Sequence, residues 1–358
     1  MEKSKVEFLK SQGIYISDKR ENSEISQGKV LFMFPGHGSL YSGILRALSN
    51  TSPIVQRIFE VADIKYKKLT GHVLSEYIFE NSKEKYLERA EIMQPAILAV
   101  NHAIYNFLKS NNVLPDILVG HSFGEFSALV AGGVIDFEQG IEMAYFRAKV
   151  LDRIPANMRG KMLSIKFNGN KKDVEEVIHA DNILVHKALK NAETQIVYSG
   201  MESEIQKLER VCEKRGIINR RVHATHAFHS PVLETAVAEF QSVLQNYKFN
   251  APKIPIFSSI SNSFYPKDKS FYEMGDISKL LAKQFVTSFE YSGIVDELYK
   301  KYNVRYFIEV GGKSILTNLV KEILEEKTFW GIATNQKNVE DEIGIKRAIA
   351  YYHVYHGI

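Results

Sequence analysis

The feature that most constrains this chain is a short apolar run that empties into a serine held between two glycines. Asp116 to Gly120 reads as a buried strand, it ends in Gly120-His121-Ser122-Phe123-Gly124-Glu125, and Phe126 to Ala131 is helix-prone before Gly132-Gly133 breaks it. Gly-x-Ser-x-Gly places a serine on a sharp turn between strand and helix, where a side chain on either glycine would clash as the chain reverses. Such a turn exposes the hydroxyl and aims the amide of Phe123 at the helix N-terminus, where an oxyanion would be stabilised. Three fixed positions recur by chance in long chains, so the strand before and the helix after are what make the match informative.

The rest of the chain supplies matching α/β material. Lys29 to Phe34 is an apolar run ending at Pro35 and Gly36-His37-Gly38-Ser39, the pattern of a buried strand entering a glycine turn that lets backbone approach a ligand. Ser52-Pro53 reads as N-cap and first residue of a helix continued by Ile54, Ile58, Phe59 and Ala62, and another helix is expected to start near Pro95 and run through Leu108. From about Gly160 to Thr225 the texture changes to strand Met162 to Phe167, helix Lys171 to His179, strands Ile183 to Ala188 and Thr194 to Ser199, amphipathic helix Glu202 to Arg215 and strand Ile217 to Ala224. That β-α-β-β-α-β order is the ferredoxin-like arrangement. Ile254 to Ser259, Ile277 to Gln284 and Val304 to Val310 then return to the main layer. The expected organisation is a polar lead-in over 1–28, a large α/β-hydrolase-like core over 29–157 and 226–358, and a small inserted subdomain over 158–225.

Composition narrows the partners. Lys+Arg 46 against Asp+Glu 42 gives +4, mildly basic and far from the dense positive field of a nucleic-acid binder, so an acidic protein or an anionic small molecule is the better expectation. The single cysteine, Cys212, excludes an internal disulfide and a Cys-rich zinc module and favours a reducing compartment. No run approaches the ~18 apolar residues of a membrane span, since even Ala96 to Leu108 is interrupted by Asn101, His102 and Asn106. A cytoplasmic monomer that engages neither membrane nor nucleic acid is expected.

A serine needs a base. Among 11 histidines, most sit singly in helical or strand patterns. His226-Ala227-Phe228-His229-Ser230-Pro231 differs, because it follows the last strand of the insert as the chain returns to the core, where His229 could face Ser122. His223, His226 and His229 lie three apart on an extended segment, which does not converge three imidazoles, and no metal site is expected.

With these motifs in this order, the chain resembles the acyltransferase domain of polyketide and fatty acid synthases, the malonyl-CoA:acyl carrier protein transacylase family, from about Lys29 to Ile358. The family's Gly-His-Ser-x-Gly-Glu is Gly120 to Glu125, and its His-Ala-Phe-His is His226 to His229. The resemblance implies Ser122 as nucleophile, His229 as general base, and a backbone carbonyl in place of an acid to orient that base, at the position matching Gln284. It implies the amides of His37 and Phe123 as oxyanion hole, although the family's usual Gly-Gln-Gly-Ser-Gln reads Gly36-His37-Gly38-Ser39-Leu40 here. Arg147, in an expected helix Ile141 to Leu151, stands where the family places an arginine that clamps the free carboxylate of a malonyl group; a planar guanidinium matches a carboxylate two-pronged. Gln94, His121, His226, Phe228 and Asn191 are expected at the substrate, Phe228 crowding a branched α-carbon and Asn191 serving where Leu189 replaces a more usual asparagine. The implied reaction moves malonyl from coenzyme A to the phosphopantetheine thiol of an acyl carrier protein, with no bound cofactor and the CoA thioester as substrate. Met1 with its polar lead, and an end near the family's last helix, suit a discrete enzyme acting in trans. An editing hydrolase on the same fold is the alternative, against which Arg147 argues.

Overall fold

A computed structural model describes residues 27–169 and 171–356; apart from Gln27 and Gly28 the polar lead-in lies outside the described residues. The first strand, β1 (Lys29–Phe34), is buried at every residue after Lys29, as a strand covered on both faces must be. Helices α1 (Pro53–Thr70) and α2 (Ala90–Ser110) follow before β2 (Ile117–Gly120), α3 (Gly124–Ala131) and α4 (Phe137–Asp152). Ser52 caps α1 as expected, its hydroxyl accepting from the Val55 amide with Pro53 at the first helical position. Helix α2 begins five residues earlier than its proline suggested. Pro95 has no N–H to bond the Glu91 carbonyl, and the Tyr66 hydroxyl donates to that carbonyl instead (3.1 Å), so the helix continues through the proline.

The next segment forms its own layer: β3 (Lys161–Lys166), α5 (Lys171–Ala180), β4 (Val185–Ala192), β5 (Gln195–Gly200), α6 (Glu202–Lys214) and β6 (Ile218–Arg221). Their antiparallel sheet runs β6-β3-β5-β4. Ile205, Leu208 and Cys212 of α6 bury one helical stripe against Leu163, Ile165, Ile196 and Tyr198, a core separate from the main one. The chain then supplies α7 (Glu234–Leu244), β7 (Ile256–Ser258), β8 (Ser263–Phe264), α8 (Asp276–Ala282), β9 (Phe289–Glu290), α9 (Tyr291–Tyr302), β10 (Val304–Glu309), α10 (Ile315–Ile323), β11 (Trp330–Ala333) and α11 (Asp341–His356). The main sheet has the order β11-β10-β1-β2-β7-β8, parallel except for β8 at one edge. One strand departs from the expected division: β9, within the stretch assigned to the large unit, pairs parallel with β4 and becomes the fifth strand of the small sheet. No helix among the described residues is long and apolar enough to cross a membrane.

The two ends of this architecture meet where β1 and β2 run out side by side, Phe34 opposite Gly120. A Cβ on Gly124 would lie 1.9 Å from the Phe34 carbonyl oxygen, and one on Gly120 would lie 2.1 Å from the Glu125 amide nitrogen. Gly124 therefore lets the serine turn pack backbone against backbone on the end of β1, and Gly120 lets the turn close on the first residues of α3. Gly124→Ala is expected to cost more than about 3 kcal/mol of unfolding free energy, because the obstructing atoms are main chain and cannot rotate away. Gly293→Ala, on an exposed helical position whose nearest foreign atom is 3.8 Å away, should be neutral or stabilising by up to about 1 kcal/mol. Urea unfolding of both variants checks the contrast.

Candidate active site

Ser122 occupies the tip of the β2–α3 turn with its backbone in the left-handed region (φ 53°), a conformation an L-residue holds only where its surroundings enforce it. His229 is also left-handed (φ 60°), on the segment that leaves the small unit, and its amide donates to the Phe285 carbonyl (2.7 Å). These two constrained residues meet: Ser122 Oγ lies 2.8 Å from His229 Nε2. His229 Nδ1 donates to the Thr287 carbonyl (2.9 Å), which fixes the tautomer whose Nε2 lone pair faces the serine. Burial holds the ring neutral, bringing its pKa from 6.5 to about 3; the Thr287 carbonyl opposes this and the Arg147 charge reinforces it. A neutral imidazole against a serine hydroxyl is what proton abstraction requires.

The orienting carbonyl was expected at Gln284, and the structure corrects that. The carbonyl of Gln284 gives only a weaker pull on the ring, while the main partner is three residues on, at Thr287. The side chain of Gln284 does something else: its Nε2 donates to the Ser122 carbonyl (3.0 Å) and its Oε1 accepts from Arg147 Nη2 (3.0 Å). It ties the strained serine backbone to the guanidinium.

Arg147, on α4, is completely buried. Its Nη1 donates to Gln94 Oε1 (3.0 Å), its guanidinium carbon sits 4.5 Å from the Phe285 ring centroid and 5.4 Å from that of Phe228, and its Nε has no partner. No carboxylate among the described residues pairs with it. Two neutral amide oxygens and a set of ring faces soften the burial of a cation, but an uncompensated buried charge still costs several kcal/mol. Gln94 is likewise fully buried and, contrary to expectation, does not line the cavity; it holds Arg147. His226 is displaced from its expected place at the substrate as well. It is buried outside the cavity wall, with Nε2 on the Leu151 carbonyl at the end of α4 (3.0 Å) and Nδ1 on the Thr225 hydroxyl (2.8 Å), so it braces the segment that carries His229.

A cavity of about 200 Å³ opens beside Ser122 and His229, lined among others by Gly36, His37, His121, Asn191 and Phe228. His121 and Asn191 hold each other, Nε2 to Oδ1 at 2.9 Å, and Asn191 Nδ2 donates to Gln195 Oε1 (3.1 Å). The amides of His37 and Phe123 donate to no protein acceptor among the described residues. The two turns that carry them pack together, since a Cβ on Gly36 would lie 3.1 Å from the Phe123 nitrogen. Two residues that sequence reasoning missed hold this frame. Asn101 Nδ2 donates to the Pro35 carbonyl (3.0 Å) and the Ser127 hydroxyl (3.1 Å), pinning the glycine turn to α3; an asparagine interrupting the apolar run of α2 was the available signal. Thr287 acts through its carbonyl, which every residue type shares, and no sequence signal marks it.

The chain is 27% identical over 298 residues to the malonyl CoA-acyl carrier protein transacylase of Bacillus subtilis (strain 168), which covers 82% of this chain and 90% of that protein. It is 26% identical over 245 residues to a phenolphthiocerol/phthiocerol polyketide synthase component of Mycobacterium tuberculosis, 68% of this chain but only 16% of that synthase. A solved malonyl-transacylase, in complex with a type II polyketide synthase acyl-carrier protein, shares the fold with a TM-score of 0.77 at 24% identity, over 90% of this chain and 99% of that one. The family model described as the acyl transferase domain matches residues 31–356, and the chain belongs to that family.

Proposed function

We propose that the chain is a malonyl-CoA:acyl carrier protein transacylase of fatty acid or polyketide biosynthesis. The observation that carries this reading is the buried Arg147 guanidinium, with no carboxylate partner among the described residues, tied through Gln284 to the backbone of Ser122. The family membership and the Bacillus subtilis relative's name support it.

In the first half-reaction His229 Nε2 takes the Ser122 proton as Oγ attacks the thioester carbonyl of malonyl-CoA. The oxyanion rests on the amides of His37 and Phe123. Collapse expels the CoA thiolate, which takes the proton from His229, and leaves malonyl esterified to Ser122. The phosphopantetheine thiol of an acyl carrier protein then repeats the sequence in reverse and leaves with the acyl group. Arg147 binds the distal carboxylate throughout. Phe228, which lines the cavity and touches the guanidinium, must turn aside to admit it. Phe228, His121 and Asn191 shape the acyl pocket, and the mild positive charge suits an acidic carrier. The solved transacylase caught with its carrier protein supports that partner.

The structural division belongs to the same reading. We take the parallel layer as an α/β-hydrolase-like core over 29–157 and 226–358, and the insert over 158–225 as a ferredoxin-like subdomain extended by β9, supported by its strand order. A cytoplasmic monomer acting in trans completes the proposal.

Arg147→Ala should lower the malonyl-to-acetyl ratio of kcat/KM by roughly 30- to 1000-fold, the loss of about 2–4 kcal/mol of charge-assisted binding. Arg147→Met should also melt higher than the wild type, because it removes a cation the fold alone does not neutralise. Mass spectrometry of the Ser122 ester with each CoA thioester, plus calorimetry, reads both. The wild-type malonyl ester should persist without carrier; rapid loss to water would mark an editing hydrolase instead. The pH profile follows from the buried base. Since the neutral form of His229 is the active one and burial moves its pKa down, acylation kcat/KM should stay level from pH 8 to about 5.5, whereas an ordinary imidazole would halve it near 6.5. Stopped-flow release of CoA across that range is the measurement.

A further inference from the structure

If Arg147 receives a malonyl carboxylate, the guanidinium is not the only group placed to do so. Three nitrogens in this region are buried without a hydrogen-bond partner among the described residues: Arg147 Nε, Gln94 Nε2 and His37 Nε2. Gln94 is joined to Arg147 through its oxygen, which leaves its NH₂ group as the free end. His37 and Arg147 are flanked by the same two rings. Phe123 lies 6.1 Å from the His37 ring and 5.5 Å from the guanidinium, and Phe228 lies 5.0 Å and 5.4 Å away. His37 also lines the cavity beside Ser122 and His229.

Buried polar groups in native proteins find partners, so an unpartnered nitrogen of a buried cation with two more in its surroundings needs an explanation. Two are obligatory donors, and the imidazole becomes a third in its Nε2–H tautomer. A carboxylate offers about four lone-pair sites, and it is the acyl-chain group that could accept from all three at once. We infer that His37 is a specificity residue for the malonyl group: its Nε2–H donates to the distal carboxylate and completes, with Arg147 and Gln94, a three-donor receptor, while its backbone amide serves the thioester oxygen. Burial and the Arg147 charge keep the ring neutral, so it adds a donor without setting a second cation against the guanidinium. One residue would thus touch both ends of the acyl group, the main chain at the reacting carbonyl and the side chain at the carboxylate. The inference rests on the proposed malonyl reading.

His37→Phe keeps the backbone amide and an aromatic ring but removes the donor. The test measures acylation of Ser122 by malonyl-CoA and by acetyl-CoA in the full chain, for the wild type, His37→Phe and His37→Gln. The expected result is a malonyl-to-acetyl ratio of kcat/KM at least about tenfold lower in His37→Phe and largely restored in His37→Gln, which returns an N–H donor. If His37→Phe does not fold, His37→Leu makes the same comparison. An unchanged ratio, including equal losses for both thioesters, would overturn the role and confine His37 to its backbone amide. Wild type that takes up no malonyl on Ser122 would sink the functional reading itself, whereas normal malonyl uptake with an unaltered ratio in the variant removes only His37.

Discussion

The hydrogen bond between Ser122 and His229 joins residues 107 positions apart, and much of the fold is arranged to let it form. Both residues hold left-handed backbone, which an L-amino acid adopts at a cost of order 1–2 kcal/mol unless its surroundings compensate. The compensation is visible on each side. Gly120 lets the serine turn close on itself, Gly124 lets it press onto the end of β1, and Gln284 donates to the Ser122 carbonyl. The His229 amide is held by Phe285, its ring by Thr287, and the segment before it by His226 on the end of α4. Most of these restraints act on backbone atoms, so the pair is positioned by main-chain packing rather than by a third catalytic side chain.

Arg147 works against that economy. A guanidinium placed wholly inside the protein with only amide oxygens and ring faces around it lowers stability, and a fold selected for stability alone would hold an apolar residue there. The arrangement makes sense if the missing counter-charge arrives with the substrate. Binding then neutralises an interaction deficit already present in the empty enzyme, and the gain is available only to acyl groups that carry a carboxylate. Gln284 links this event to the nucleophile, since the same amide touches both the guanidinium and the Ser122 carbonyl.

Much of this was legible in the residues. The β-α-β-β-α-β order and the serine turn depend on periodicity and on glycine chemistry, which local sequence encodes directly, whereas His229 as the base rests on the place of its segment in the chain and on the family resemblance. The errors share a cause. Gln284, Gln94 and His226 were each recognised as belonging near the site, but which atom of each would be used depends on how separate segments pack, and that is not local. Gln284 works through its side chain where its carbonyl was expected, Gln94 holds the arginine through its oxygen instead of lining the cavity, and His226 braces a helix end. The pairing of β9 with the small sheet was hidden for the same reason: two residues carry no periodicity, and only their position beside β4 makes them a strand.

The size of the cavity bears on the order of events. About 200 Å³ beside Ser122 is below the range of sites that enclose drug-sized ligands, and suits a short acyl group rather than a coenzyme A or a pantetheine arm in addition. On the proposed reading, a serine beside that space would hold the acyl group between the departure of one thiol and the arrival of the other. Leu189, Asn191, Val197 and Val222 come from the insert, whereas Ser122 and His37 come from the main layer, so the wall around the reacting carbonyl is shared between the two units. The insert is thereby part of what sizes the chamber: Met162, Leu189 and Val197 of its sheet pack into the main core, while Leu163, Ile165 and Ile196 pack into the insert's own.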